Sequence, residues 1–422
     1  MNNSLSFGSH RVRAARRVNR WSVLSVGTTL CAALLSQHVF AAEDSTPVKI
    51  GLVFAKEGSS AIISQSSVRG AMMAAQEEGN KVLGRPVQFV WVDEPNPQGA
   101  QQNMQGLIDN DKVVAVMGAT FSSSALAMEA LARRTKTPLI ITQAAASEIT
   151  GKECNRYTFR VSPTAAVHTK LIAPFMAKMG LKWYTVTPSY AFGQDALASV
   201  KVAAKSLGAT IIGSDEIANN TTDFSSYILK IRQAKPDVVF NAMVGGDLSN
   251  FLKQWNQMGM KSISKVVGIA VSDSNFWEIG AGASSGTYGV PWYYADPKNS
   301  PAEVQFVADY TKQYQQPPTE KAWMSWYATR ALLGAITSQK STDPKAIVTG
   351  MEAFKDTMNG LNIQFRSYDH QLVRPALAME VKPKVTDKYD YFNIVDRGPS
   401  TQAELETVFG TKEQTGCNMG GF

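Results

Sequence analysis

Three consecutive serines follow a short apolar run in the first third of the chain, and their position favours binding of a carboxylate. The run Val113–Met117 has the length of a buried strand, and Ser122, Ser123 and Ser124 stand where a helix-period segment begins. A helix N-terminus presents unpaired N–H groups and a partial positive charge, so hydroxyls at that point suit a small anion. Capping of the helix by the same serines is the alternative interpretation.

A second loop of small residues follows the next strand and extends this surface. Pro138–Ile141 has the character of a buried strand, and it runs into Ala144, Ala145 and Ala146. Small side chains let a ligand reach the backbone, although they also allow a helix to pack closely. We therefore predict that Val113–Thr150 forms one wall of a binding site.

These loops belong to a regular alternation of strands and helices, which predicts an α/β fold with parallel sheets. A first series of strands lies at Val48–Ala55, Pro86–Asp93, Val113–Met117 and Pro138–Ile141, with helical patterns at about Ile62–Glu78, Pro97–Asp109 and Ser123–Arg134. A second series of strands lies at Thr158–Val161, Trp183–Thr187, Thr210–Asp215, Asp237–Asn241 and Lys265–Ala270. Pro174 interrupts the helical pattern Ala165–Met179, where it should kink the helix or delay its start.

Two such series in one chain indicate two lobes rather than one sheet. Strands also occur late, near Asn362–Phe365 and Ala376–Val381, so the chain crosses between the lobes more than once. The predicted segments are a first lobe of 43–162 plus 291–361, a second lobe of 163–290 plus 362–385, and a C-terminal tail of 386–422. Ligands of open α/β sheets bind beyond the carboxyl ends of the strands, which here face a cleft between the lobes.

The N-terminus has the three parts of a secretory signal peptide. Five arginines precede a mostly apolar stretch, Trp21–Phe40, and small residues follow at Ala41 and Ala42. Residues 1–42 are therefore predicted to be removed on export to the periplasm, by cleavage near Ala41 or Ala42; a membrane anchor and lipidation of Cys31 are the alternatives. Removal of the five arginines lowers the formal net charge from +7 to +2, which argues against nucleic acid as a partner.

Two cysteines remain after export, and one intramolecular pairing is open to them. An oxidising compartment favours a disulfide between Cys154 and Cys417, which would tie the tail to the body of the protein; two buried free thiols are the alternative. His168 and His370 are far apart in sequence and no CxxC motif occurs, so the sequence indicates neither a metal site nor a cofactor.

An exported hydrolase is the main opposing hypothesis. Gly282–Gly286 reads GASSG and formally matches the GxSxG motif, which holds a nucleophilic serine on a turn between a preceding strand and a following helix. Here Thr287–Val290 has the character of a strand, and it follows the motif rather than preceding it. We therefore expect no enzymatic activity.

A set of short motifs stands in a specific order over nearly all of the mature sequence. They are Gly58-Ser59-Ser60-Ala61 with Gly70, Leu83-Gly84-Arg85-Pro86, Asp93, Gly118-Ala119-Thr120-Phe121-Ser122, Tyr157-Thr158-Phe159-Arg160, Tyr190-Ala191-Phe192-Gly193, and Gly245-Gly246-Asp247 with Phe251-Leu252-Lys253-Gln254. In these motifs the chain resembles the periplasmic solute-binding proteins of the branched-chain amino acid type, which serve ABC importers. The resemblance implies two Rossmann-like lobes in a type I periplasmic-binding (Venus-flytrap) architecture with three crossovers. It also implies a monomeric receptor with an inner-membrane permease as its partner.

The resemblance also implies which residues hold the ligand, because family members bind its carboxylate with the loops after the first, third and fourth strands and add contacts from the second lobe. The implied positions are Ser59, Ser60, Ser122, Ser123, Ala145, Ala146, Tyr190, Phe192, Gly245 and Asp247. For Ala145 and Ala146 the implied contacts are through the backbone. Core packing is the alternative for Tyr190 and Phe192, and helix capping is the alternative for Asp247.

Two departures from the family pattern bear on the ligand. Amino-acid receptors of this type hold the α-ammonium group with a hydroxyl after the fourth strand and an acid after the ninth. This chain has Ala145 or Ala146 at the first position and Ile269-Ala270-Val271 near the second. A buried ammonium without a carboxylate is costly, so the predicted ligand is an amine-free aromatic or aliphatic acid or a small amide. Asp247 and Asp273 are the substitutes that would admit an amino acid, and a ligand sensor of the same fold is the alternative function.

Overall fold

The computed structural model describes residues 45–358 and 360–422, which form two α/β lobes. The predicted signal peptide, 1–42, lies outside the described residues. Within the described ranges, no helix combines the length and the apolar character that a membrane span requires.

The first lobe is built on a six-stranded sheet. Its strands are β1 (Val48–Val53), β2 (Lys81–Val82), β3 (Arg85–Val92), β4 (Ala115–Gly118), β5 (Leu139–Ile141) and β6 (Thr158–Arg160), and its first helices are α1 (Ala61–Glu77), α2 (Pro97–Gly106) and α3 (Ser122–Thr135). The strands lie in the order β2-β3-β1-β4-β5-β6 and are parallel except for the β2–β3 hairpin. Helices cover both faces, which is why β4 and β5 are wholly buried apolar runs.

The second lobe repeats this pattern after the chain leaves β6. It contains the helices α4 (Ala165–Met179), α5 (Ala191–Leu207), α6 (Ser225–Ala234), α7 (Gly245–Gln257) and α8 (Asp273–Ala283), and the strands β7 (Lys182–Pro188), β8 (Thr210–Ile217), β9 (Val238–Asn241), β10 (Lys265–Ile269) and β11 (Thr287–Val290). Pro174 lies inside α4 and does not delay its start. The GASSG motif begins in the last residues of α8 and ends before β11, so a helix precedes its serines and a strand follows, the reverse of the order that a nucleophilic serine needs.

The chain then returns to the first lobe with three helices and a small sheet. These are α9 (Pro301–Tyr314), α10 (Glu320–Gln339) and α11 (Pro344–Glu352), followed by β12 (Lys355–Met358), β13 (Leu361–Phe365) and β14 (Leu372–Val373). The helix α10 packs against α1, and its apolar residues form one core with β1 and β4. Side chains of β13 and β14 join that same core.

The second-lobe sheet is completed by two late antiparallel strands, β15 (Ala376–Val381) and β16 (Phe392–Gly398). The full strand order is β16-β15-β11-β10-β9-β7-β8. This corrects the predicted segments: the return to the second lobe occurs at β15 rather than at residue 362, and part of the expected tail is the edge strand β16. The alternation of residues in a strand indicates which side chains are buried but does not indicate which strand is its neighbour. Here β13 forms an antiparallel hairpin with β12 and so belongs to the first lobe.

The rest of the tail comes back to the first lobe. It contains α12 (Gln402–Phe409) and α13 (Lys412–Thr415), and a disulfide joins Cys417 to Cys154 with their Cα atoms 5.6 Å apart. Leu405 and Phe409 of α12 pack with Val167 of α4 and Val373 of β14, so this helix contacts elements of both lobes. The three crossings between the lobes thus lie between β6 and α4, between β11 and α9, and between β14 and β15, with the tail as a further return.

Candidate ligand-binding site

A small cavity lies between the lobes, where loops that follow the carboxyl ends of strands from both sheets meet. It has a volume of about 20 Å³, which is room for about one water molecule and far less than the roughly 300–1,000 Å³ usual for ligand pockets. The first lobe contributes Ile63, Thr120, Ser122, Gln143, Ala144, Ala145 and Lys321, and the second contributes Tyr190, Phe192, Val244 and Ala270. Its lining combines polar and apolar groups, and a ligand larger than a water molecule requires the lobes to move apart. Other, larger grooves, such as the one between α4 and α5, open to solvent away from these strand ends.

Ser122 begins α3, and its hydroxyl oxygen accepts two backbone hydrogen bonds. The N–H groups of Ala145 and Ala146 donate to Ser122 Oγ at 3.2 and 3.1 Å. A hydroxyl that accepts in this way keeps its own proton available for donation. The arrangement leaves Ser122 able to donate to a ligand oxygen, whereas the N–H groups of both alanines are already engaged. The backbone contacts implied for Ala145 and Ala146 are therefore not free in this conformation.

A buried carboxyl group supports the loop that leads into α3. Glu94 accepts the N–H of Thr120 at 2.6 Å and the N–H of Phe121 at 2.8 Å, and it is 1% exposed. Burial raises the pKa of Glu94 to about 7, and the two backbone hydrogen bonds oppose that rise. Glu94 satisfies the N–H groups immediately before the helix and so fixes the loop that carries Ser122.

Lys321, in the first turn of α10, is the one residue with a cationic side chain among those that line the cavity. The residue is 5% exposed, and its Nζ lies 3.2 Å from Oε1 of Glu320. An ammonium group has three donors, so this ion pair leaves donors for a ligand. Lys321 was not predicted from the sequence, because the second crossing brings it to Ser122 from far along the chain. The feature that could have indicated its role is that Lys321 is a charged residue at the start of a helix in which almost all of the following residues are buried.

Two acidic residues lie behind Lys321 at the boundary of the lobes. Glu320 accepts a hydrogen bond from the hydroxyl of Ser272 at 3.1 Å, and Asp273 follows Ser272 at the start of α8. Burial raises the pKa of both carboxyl groups, and the charge of Glu320 raises the pKa of Asp273 further while Lys321 lowers that of Glu320. Burial therefore favours the protonated form of both acids, and only Glu320 has the Lys321 ammonium beside it to oppose that effect.

Several residues implied for the ligand site lie where the two lobes touch. Gly246 donates its N–H to the carbonyl oxygen of Ser59 at 2.7 Å, and Ser59 donates its N–H to Oδ1 of Asn220 at 3.0 Å. Asp247 Oδ2 accepts the N–H of Asn220 at 3.1 Å, and a Cβ on Gly245 would lie 2.5 Å from the Ser59 oxygen. We call Ser59, Asn220, Gly245, Gly246 and Asp247 the glycine latch. Its atoms hold the lobes together across the cleft and do not line the cavity.

Further contacts cross the cleft beside Ser122. The hydroxyl of Ser123 accepts the N–H of Ala191 at 3.3 Å, and the rings of Phe121 and Tyr190 pack edge to face at 5.6 Å. Ser147, which was not among the predicted site residues, also donates its N–H and its hydroxyl to Asp195. The cleft is therefore closed around the cavity.

The second-lobe wall is mostly apolar and includes Tyr190 and Phe192. Phe192 is 4% exposed, and burial raises the pKa of Tyr190, so its phenol stays protonated. Ala270 follows β10 with a φ of 57°, a left-handed backbone conformation that alanine seldom adopts. Opposite this wall, the hydroxyl of Ser60 is buried at the start of α1 and makes no hydrogen bond to the described residues.

Lys321 is the one charged residue among those that line the cavity. None of the residues that line the cavity is a carboxylate. In the part of the chain that the structure describes, no group of three or more histidine, cysteine, aspartate or glutamate residues is arranged to hold a metal ion. What the arrangement offers is a cation, hydroxyl donors and an apolar wall.

Comparison with known proteins agrees with the fold. One similar relative is the Leu/Ile/Val-binding protein homolog 4 of Brucella melitensis, 27% identical over 382 residues that cover 85% of this chain and 90% of the relative. A solute-binding protein of an ABC transporter from Rhodopseudomonas palustris, solved in complex with 3,4-dihydroxybenzoic acid, is 27% identical with a TM-score of 0.76, over 82% of this chain and 96% of that one. A periplasmic binding protein from Burkholderia mallei, 24% identical, shares the fold with a TM-score of 0.80 over 88% of this chain and 99% of that one.

The family model described as periplasmic binding protein matches residues 47–388. That span contains both sheets up to β15, the cavity and the glycine latch. It covers most of the chain, and the two-lobed fold agrees with it. The chain therefore belongs to the periplasmic binding protein family.

Proposed function

We propose that this protein is the exported receptor of an ABC importer and that it binds a small carboxylate without an amine in the cavity between its lobes. The observation that carries the proposal is the position of Lys321 in the cavity wall, on the same lobe as the Ser122 hydroxyl. A carboxylate taken out of water needs a cation and hydrogen-bond donors around it. Lys321 supplies the charge and Ser122 supplies a donor.

The absence of a carboxylate from the cavity wall argues against a free α-amino acid. The second-lobe wall has Ala270, which lies near the position where amino-acid receptors of the resembled type carry an acid. Asp247 and Asp273, the two acids that could replace the missing carboxylate, are not among the residues that line the cavity. Asp247 accepts a hydrogen bond in the glycine latch, and Asp273 is buried with a raised pKa. An α-ammonium would instead lie near Lys321, where two positive charges repel.

The apolar part of the cavity lining suits an aromatic acid, which would enter with the lobes farther apart. Tyr190 and Phe192 form its second-lobe side with Val244 and Ala270, and the first lobe adds Ile63. Flat apolar ligands gain contact area and ring stacking from such walls. The Rhodopseudomonas palustris relative, which covers most of this chain, is a receptor solved with an aromatic acid.

We expect a permease to recognise the closed conformation that the lobes adopt around the ligand. The glycine latch and the Ser147–Asp195 contact form only when the lobes approach, so a ligand that bridges the cleft favours the closed state. We propose that the receptor acts as a periplasmic monomer after removal of residues 1–42. N-terminal sequencing and the solution mass of exported protein test these two points.

Calorimetric titration of the mature protein is the direct test. We expect 4-hydroxybenzoate, 3,4-dihydroxybenzoate or benzoate to bind and leucine, isoleucine and valine not to bind. Lys321→Met should lower the affinity for the acids at least tenfold, because the carboxylate loses its cation. Lys312→Met, the same change at an exposed position of α9, is the matched control and should bind like the parent protein.

Two results would count against the proposal. Binding of amino acids in place of the acids would refute the amine-free ligand, and full acid affinity in Lys321→Met would refute the role of Lys321. Transport is tested by uptake of radiolabelled acid in host cells that lack the protein. Unchanged uptake, with loss of a transcriptional or motile response to the acid, would identify a sensor instead.

A further inference from the structure

One polar atom in the cavity wall has no hydrogen-bond partner among the described residues. Oε1 of Gln143 is buried and unpartnered, and the residue is 6% exposed. Gln143 lies in the loop after β5, between the strand and the alanines that contact Ser122. A buried acceptor without a donor is costly, so this atom identifies a position where a ligand donor would be stabilising.

The hydrogen bonds around Ser67 determine which end of the Gln143 side chain faces the cavity. Ser67 donates its hydroxyl proton to the carbonyl oxygen of Lys321 at 3.2 Å. The serine oxygen can then only accept from Gln143, at 2.8 Å, and the amide nitrogen is the group that donates. The amide orientation is therefore fixed by its neighbour, and Oε1 is left as the free acceptor.

We infer that the ligand carries a neutral hydrogen-bond donor, a hydroxyl group, which is bound by Oε1 of Gln143 in addition to the carboxylate bound by Lys321. This inference rests on the proposed function and specifies its ligand as a hydroxy acid. A charged donor is disfavoured because Gln143 is uncharged and Lys321 lines the same small cavity. Benzoate would leave the Gln143 oxygen unpaired, whereas a hydroxybenzoate would satisfy it.

The same contacts connect the two proposed subsites. Ser67 of α1 bonds both to the side chain of Gln143 and to the backbone of Lys321, which are separated widely in sequence. The acceptor and the residue that carries the cation are thus held by one serine. Ser67 is a positioning residue, because it orients Gln143 and is not among the residues that line the cavity.

The test compares acids that differ by one hydroxyl group. Calorimetric titrations of the mature protein and of Gln143→Met use benzoate, 3-hydroxybenzoate and 4-hydroxybenzoate. We expect the parent protein to bind one of the hydroxylated acids at least about tenfold more tightly than benzoate, since a site built to pair a hydroxyl rejects the analogue that lacks it. In Gln143→Met that preference should disappear while the affinity for benzoate stays within about threefold.

Benzoate serves as the internal control for folding, because a misfolded variant would lose it too. If Gln143→Met does not fold, Ser67→Ala replaces it: the amide loses its fixed orientation, and the ratio of hydroxybenzoate to benzoate affinity should fall, whatever the absolute affinity for benzoate. Retention of the full hydroxyl preference in a folded Gln143→Met overturns the inference. Equal binding of benzoate and both hydroxybenzoates by the parent protein overturns it as well. In either case the proposed function stands, since that fails only if no small acid binds or if Lys321→Met binds normally.

Discussion

Gly246 donates its backbone N–H to the carbonyl oxygen of Ser59 at 2.7 Å, and this bond joins the loop before α1 in the first lobe to the first turn of α7 in the second. It brings the two backbones so close that Gly245 has no room for a side chain, since a Cβ there would lie 2.5 Å from the same oxygen. The latch thus depends on glycine for a steric reason. The steric requirement for glycine at this position can be tested separately from the ability of glycine to adopt a positive φ.

The variant Gly245→Ala should weaken ligand binding by preventing full closure. Gly245 has a φ of 57°, so alanine also costs about 1–2 kcal/mol of backbone strain there. Gly208→Ala is the matched control, because Gly208 has a φ of 71° and open space around the position of a Cβ. We expect both variants to lose similar stability but only Gly245→Ala to lose 4-hydroxybenzoate affinity, about tenfold or more in calorimetry. Equal affinities in the two variants would rule out the latch as the closing contact.

Ser122→Ala should affect both folding and binding. The change leaves the N–H groups of Ala145 and Ala146 without their acceptor, which costs about 1–3 kcal/mol for a buried donor. It also removes the hydroxyl proposed to donate to the ligand carboxylate. Urea denaturation and calorimetric titration measure the two effects. Ser338→Ala, which deletes a hydroxyl bonded to a single carbonyl at the end of α10, should change neither by a comparable amount.

Replacement of both cysteines by serine should destabilise the protein without altering the cavity. The disulfide links positions separated by 263 residues, and closing a long loop of this kind typically stabilises the folded state by about 2–5 kcal/mol. The tail beyond α12 should become sensitive to protease, because Cys417 is its covalent attachment to the first lobe. A reducing agent should lower the urea midpoint of the parent protein and leave that of Cys154→Ser/Cys417→Ser unchanged. If it lowers both equally, the disulfide is not what stabilises the parent.

The sequence predicted the helices and strands of this fold better than it predicted which of them contact each other. Ser122 could be found because a strand, a hydroxyl-rich turn and a helix start follow one another directly in the chain. Lys321 and Gln143 could not be found in this way. Their roles depend on the crossing that returns α10 to the first lobe and on the contact of both residues with Ser67.

The same limit explains the residues that turned out to join the lobes. Ser59, Gly245 and Asp247 were implied by motif position, and the motif marks the mouth of the cleft whether a residue contacts the ligand or the opposite lobe. Whether these residues contact the ligand or the opposite lobe depends on the distance between the Ser59 loop and the Gly245 loop, which the sequence does not give. The strand Leu361–Phe365 was assigned to the wrong lobe for a related reason, because its alternation fits either sheet and its hairpin partner β12 decides the matter.

Glu94 should make the stability of the protein depend on pH. Its pKa is about 7 in the folded protein and about 4.5 when hydrated, so the folded state binds the proton more tightly. Stability from this group is therefore fully present below about pH 4.5 and is lost as the pH rises through 7, by about 3 kcal/mol in all. The free energy of unfolding of the parent protein should fall by that amount relative to Glu94→Gln between pH 4 and pH 8, as measured by urea titration at each pH. Glu216→Gln, on an exposed position of β8, controls for the loss of one charge, and a constant difference between parent and Glu94→Gln across this range would show that Glu94 ionises normally.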